Sequence, residues 1–249
     1  MSVSVDCVLE QWKALVQREE NTAYKSSVSF GCDQALRDKI CKWCYLVIDR
    51  CDIDRSVVSF ALSYFDRFMS VHTLKNDVAM QLVSMTSLYL AVKIHSTKSI
   101  SVSSMSSLSQ GRCREDQLLE MEMRIIKSNH WYLNPPIPSL YLSVVDPLID
   151  DSTRELSTYL IELSVWDGYF VDKKPSSISY AAIVVAMDIL SIPKTSFLTY
   201  KMDTSLDMTK LCVERLRLVY DLASPHLDEE DSAPPSSTLS PNSALHECS

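Results

Sequence analysis

The sequence predicts an all-α protein of two tandem five-helix domains, with a short N-terminal helix in front and a disordered tail behind. Three observations lead there. Apolar residues recur at i, i+3 and i+4 along most of the chain, which is the spacing of one helix face. Two segments, 78–94 and 178–190, are apolar nearly all round, and a helix of that kind belongs in the middle of a bundle. Gly31, Gly111 and Gly168 are the three glycines in 249 residues, against a typical share of ~7%.

The scarcity of glycine also excludes functions. Phosphate-cradling loops, dinucleotide-binding turns and tight hairpins need glycine at positive φ or where backbone approaches a ligand. Charge excludes another class. The net charge is −8, from 24 Lys+Arg and 32 Asp+Glu, and no Lys/Arg run supplies the basic face that duplex nucleic acid requires. No basic leader with an apolar stretch opens the sequence, and the longest fully apolar run, 181–187, is far short of the ~20 residues that span a bilayer. Neither nucleic acid nor membrane is therefore expected as a partner. Eight scattered cysteines suit a reduced compartment, in the nucleus or cytoplasm, where they serve mostly as small buried hydrophobes.

Taken in order, the elements divide the chain at 1–30, 31–133, 134–224 and 225–249. An amphipathic helix at about 5–19 precedes the first domain. Asp54 is placed to cap a helix carrying Val57, Val58, Ala61, Leu62, Phe65, Phe68 and Met69. The apolar 78–94 helix follows, then helices near 101–110 and 115–128, with Gly111 as the stop between them. Pro135 and Pro136 forbid continuation and mark the junction. Beyond it the pattern restarts: a short helix near 138–146, an amphipathic one near 152–167, and the second all-apolar helix, introduced by Pro175 and closed by Pro193. A last helix near 205–223 sets Met208, Leu211, Cys212, Leu216 and Val219 on one face. From Pro225 the chain is acidic and rich in Ser and Pro, with little to bury.

Several fragments, in this order and at these spacings, resemble the cyclin family over nearly the whole folded length. The first half resembles the N-terminal cyclin box at Tyr64-Phe65-Asp66-Arg67-Phe68, Gln81-Leu82-Val83, Leu90-Ala91-Val92-Lys93 and Gln117 to Glu122. Residues 131–136 resemble the junction between boxes. The C-terminal box is matched at 159–163, Pro175-Ser176 and Ala181-Ala182.

The resemblance implies a regulatory subunit, not an enzyme, that forms a heterodimer with a cyclin-dependent protein kinase and needs no cofactor. It implies structural roles for Arg37, its carboxylate partner Asp66, and Leu82. It assigns kinase contact to Lys93 and Glu122, surrounded by Leu90, Ile94, Ile126, Trp131 and Leu133. Lysine offers donors only and ionised glutamate acceptors only, so together they can satisfy partner backbone without reading its side chains. A docking patch for kinase substrates or inhibitors maps to Leu36, Ile40, Trp43 and Gln81. Lys39 puts a charge into it, and Leu46 replaces a glutamate common in mitotic cyclins, so the patch is expected to be weakened. The acidic pair that often follows the contact lysine is replaced by Ile94-His95-Ser96. The alternative reading is a cyclin-fold transcription factor or scaffold that engages no kinase.

Other candidates have plainer explanations. Cys41 and Cys44 fall at i, i+3 on a helix without the second ligand pair that structural zinc requires, so no metal is expected. His72, His95 and His130 belong to no nucleophile or metal motif. Ser224 and Ser240 each precede proline and suit proline-directed phosphorylation.

Overall fold

A computed structural model describes residues 4–21, 33–74, 76–193 and 206–224. Among these, the chain is helical with no strand. Ten α-helices follow in order: α1 Val5–Asn21, α2 Gln34–Arg50, α3 Val57–Val71, α4 Asp77–His95, α5 Val102–Leu108, α6 Glu115–Ser128, α7 Pro138–Val145, α8 Asp151–Trp166, α9 Pro175–Ile189 and α10 Leu206–Ala223. Short 3-10 turns occupy Asp146–Leu148 and Gly168–Phe170.

Local chemistry explains most of the ends. The Asn76 side chain accepts from the Ala79 amide at 2.7 Å and starts α4, whose first turn carries Asp77 and whose last carries Lys93, as the helix dipole favours. Asp150 caps α8 through the Thr153 amide, and Pro175 stands in the first turn of α9. Two starts and stops differ from expectation. Asp54 does not cap α3 directly: its carboxylate accepts from the Ser56 amide in a turn ahead of the helix, which begins at Val57. The 101–110 helix ends at Leu108, because Gln110 and Gly111 both take left-handed backbone, at φ 54° and 81°.

The helices build two cores. In the first, α4 packs against α3, α5 and α6, and Tyr64, Phe65, Phe68, Leu88, Leu118 and Ile125 have no exposed surface. By length and composition alone α4 could cross a membrane, but its buried residues from Val83 to Val92 fill this core. In the second core α9 takes the central place against α7, α8 and α10. Its residues are buried from Ser176 to Met187, Tyr180 excepted. Residues 194–205 and the tail 225–249, expected to be disordered, fall outside the described residues.

Helix α1 belongs to the second core although it precedes the first in sequence. Val8 and Trp12 are buried there, and the Trp12 ring meets Tyr141 edge-on at 5.0 Å. At its far end the buried Glu19 carboxylate accepts from the Ser176 amide at 3.3 Å and the Ser176 hydroxyl at 2.6 Å, at the N-terminus of α9, and from the Tyr141 hydroxyl. Burial raises the Glu19 pKa above the ordinary 4.5, against the pull of Ser176. A carboxyl whose folded pKa is raised contributes most below its unfolded value and loses that contribution as pH rises through the folded one. Melting curves of wild type and Glu19→Gln are therefore expected to diverge with pH: the wild type gains relative to the variant on acidification toward pH 4.5. Glu19→Ala, which strands two buried donors on Ser176, is expected to cost about 1–3 kcal/mol at any pH.

The two cores are joined through α2 and α8. Arg55 forks onto Glu162 at 3.0 and 3.1 Å, lies over the Tyr45 ring, and also pairs with Asp49. Tyr45 stacks on Trp166 with centroids 5.8 Å apart. Gln34 donates to the Trp166 carbonyl and accepts from the Gly168 amide. These contacts link the two sets of helices.

Candidate interaction face and its supporting pair

The third helix of the first set ends in Tyr89, Lys93 and Ile94, and α6 runs beside it with Leu119, Glu122, Met123 and Ile126 at i, i+3, i+4 and i+7. The Lys93 ammonium donates to Glu122 Oε1 at 3.0 Å and stands 5.8 Å from the centre of the Tyr89 ring. The two sides of the pair are unequal. The Lys93 side chain is 56% exposed and that of Glu122 is 8% exposed. The carboxylate thus lies beneath the ammonium and raises its pKa, so the lysine is charged and held in place.

Large apolar side chains are exposed on the same two helices and in the turn that follows α6. Ile94, Leu119 and Met123 are exposed, and Trp131 is 67% exposed. Exposed aliphatic and aromatic residues with few charges are the composition of a protein interface. Leu119 and Met123 were not singled out from the sequence, although their spacing about Glu122 was there to be read. Leu90 and Ile126 require a correction. They are 1% and 8% exposed, within the first core, and so support the face from beneath; Glu122, expected to reach the partner itself, is likewise buried and is turned to Lys93, and Leu133 is half-buried.

Trp131 is presented by an unusual turn. After α6, His130 and Trp131 both adopt left-handed backbone, at φ 50° and 61°. Bulky residues reach that region at a cost of about 1 kcal/mol or more each. The Trp131 amide donates to the Ile126 carbonyl at 3.0 Å and the Tyr132 amide to that of Asn129 at 2.9 Å, which closes the turn.

Behind the face, the Arg37–Asp66 pair is formed as expected. The guanidinium meets both Asp66 oxygens, at 3.2 and 3.0 Å. Both side chains are buried, at 4% and 11% exposure. The sequence did not show that Arg37 also donates to the Val165 and Trp166 carbonyls at the C-terminus of α8. One residue thus pins α2 to α3 and the first domain to the second. Burial opposes its charge, and Asp66 more than restores it, so Arg37 is held above the ordinary arginine value. Leu82 is half-buried against the first core.

Leu36, Ile40 and Trp43 of α2 and Gln81 of α4 come together around a cavity of about 180 Å³, with Met80, Met85 and Lys39 also lining it. Leu46 is exposed. The remaining candidates are structural. Cys41 and Cys44 are both buried thiols, and burial pushes Cys41 up to about 12. Among the described residues no three His, Cys, Asp or Glu side chains are grouped to hold a metal ion. His72 packs on Phe68. The Ser224 hydroxyl donates to the Tyr220 carbonyl at the end of α10, and Ser240 lies outside the described residues. With Asp66 tied to Arg37 and Glu122 lying under Lys93, neither carboxylate is arranged for proton transfer.

Comparison with known proteins bears on the family and the fold. Residues 10–134 match the family model for the cyclin N-terminal domain, and residues 139–233 that for the cyclin C-terminal domain. The G1/S-specific cyclin-D1 of Xenopus laevis is 23% identical over 237 residues, covering 87% of this chain and 81% of its own length. The G2/mitotic-specific cyclin-B2 of Oryzias luzonensis is 24% identical over 203 residues, covering 78% of this chain; the chain spans about half, 52%, of that relative. Among solved structures, a viral cyclin from herpesvirus saimiri superposes with a TM-score of 0.69 at 15% identity, over 84% of this chain and 95% of that one. The yeast RNA Pol II CTD kinase CTDK-1 complex contains a chain matched with a TM-score of 0.55 at 13% identity, over 89% of this chain and 74% of that one. At these identities the structural likeness is one of fold.

Proposed function

The chain belongs to the cyclin family, whose members are regulatory subunits rather than enzymes, and from that premise we propose that it binds and allosterically activates a cyclin-dependent protein kinase. The observation that carries the proposal is the Lys93–Glu122 pair set within the exposed apolar face of α4, α6 and Trp131. Glu122 holds Lys93 so that its remaining donors point outward, ready for carbonyls of a partner's backbone. The apolar residues around it supply the burial a stable complex needs, and Trp131 is the anchor.

Activation then follows from differential contact. The face binds best to the kinase state whose C-helix is swung inward, and so raises the population of that state. There the kinase's own Lys–Glu pair and activation segment align for phosphoryl transfer, and the cyclin contributes no reacting group. The cavity between α2 and α4 gives this reading a second part: it suits an apolar side chain of a substrate or inhibitor segment, and its lining carries both Lys39 and Asp77. A DNA-binding factor of the same fold is disfavoured by the net charge of −8.

Affinity capture from cell extract with the full chain tests the proposal. The expected result is a retained protein kinase that phosphorylates histone. Capture of no kinase, or of one whose activity is unchanged by adding the chain, would overturn it.

A further inference from the structure

His95 is the last residue of α4, two beyond Lys93, and its ring lies flat on Phe60 of α3 with centroids 3.6 Å apart. Its Nε2 stands 2.8 Å from the Tyr64 hydroxyl and 3.0 Å from the Leu133 carbonyl oxygen. The Tyr64 hydroxyl donates to the same carbonyl. Three atoms, from α3, α4 and the junction after α6, therefore close a triangle. A carbonyl has two lone pairs and can accept both donors. The hydrogen bonds assign the tautomer: with the Tyr64 hydrogen on Leu133, Nε2 must carry its own to meet that oxygen. Burial holds the ring pKa below the ordinary 6.5, so His95 is neutral in this role.

The gripped carbonyl lies two residues beyond Trp131. His130 and Trp131 are left-handed, a backbone state that persists only when its surroundings impose it. Trp131, with two-thirds of its surface in solvent, has little packing of its own to do so. We propose that His95 and Tyr64 are positioning residues, which hold the Leu133 carbonyl and so keep the turn wound and the Trp131 indole aimed at the partner kinase. The partner in that statement rests on the function proposed above; the grip on Trp131 can be measured in the free chain.

The full chain labelled with 5-fluorotryptophan carries four reporters, at Trp12, Trp43, Trp131 and Trp166, and Trp131→Phe identifies the one that matters. His95→Ala and Tyr64→Phe are each expected to shift and broaden the Trp131 fluorine resonance and leave the others in place. His95→Gln, whose amide can donate to the same carbonyl, is expected to restore it. Kinase captured from extract should fall roughly tenfold with His95→Ala and recover with His95→Gln, as the loss of one buried hydrogen bond and its ordering effect would give. Tyr64→Phe removes one oxygen and keeps the buried ring, so the test survives if His95→Ala does not fold. An unmoved Trp131 resonance in the folded variants overturns the proposal whether or not a kinase binds. A resonance that responds while the wild type captures no kinase supports the positioning and sinks only the function.

Discussion

Asp66→Ala is expected to lower the stability of the chain by about 3–5 kcal/mol, because it leaves the Arg37 guanidinium buried without its counter-charge. For a protein of this size that corresponds to a fall in melting temperature of roughly 10 °C. A double-mutant cycle separates two contributions of Arg37. One is the desolvated charge itself, which disappears if Arg37 is also replaced, by methionine. The other is the pair of hydrogen bonds that Arg37 donates to the Val165 and Trp166 carbonyls, which Asp66→Ala leaves in place and the second replacement removes. The double variant Arg37→Met/Asp66→Ala is therefore expected to recover most of the loss but to remain about 1–2 kcal/mol below wild type, the worth of a cation on the last turn of α8. If the double variant is as damaged as Asp66→Ala alone, the buried charge is not the cause. If it equals wild type, Arg37 does not join the two domains.

That junction shows where the sequence was legible and where it was not. Helix identity was legible because period and punctuation agree: Pro175 starts a helix where the apolar pattern begins, and the all-apolar segments are the centres of the two cores. The Arg37–Asp66 pair and the residues Lys93 and Glu122 were legible through resemblance, since spacing alone assigns no partner to a charge. Long-range docking was not legible. Val8 and Trp12 mark α1 as amphipathic but do not say that its apolar stripe is covered by α7 of the second domain. For the same reason nothing in the sequence marks Glu19, since Ser176 becomes its partner only in the fold. Burial of Leu90 and Ile126 was missed because a matched position says which residue is used, not whether it lies on or under the surface.

The double variant Lys93→Ala/Glu122→Ala is expected to fold and to lose about 2–5 kcal/mol of kinase affinity, roughly thirtyfold to several thousandfold. Either single change is a poorer test. Lys93→Ala strands a Glu122 carboxylate that is 8% exposed, so weakened binding could follow from a disturbed α6. Glu122→Ala frees a lysine that is already half in solvent and leaves its charge to find a partner backbone unguided. Removing both deletes a charge and its counter-charge together and leaves apolar stubs on a face that is already apolar, which keeps the cost to folding small. A melting curve close to wild type, with capture reduced by orders of magnitude, would show that the pair is used for binding and is dispensable for the fold. An unchanged melting curve with full capture would mean that Ile94, Leu119, Met123 and Trp131 suffice, and that the charged pair in this cyclin orients nothing the kinase needs.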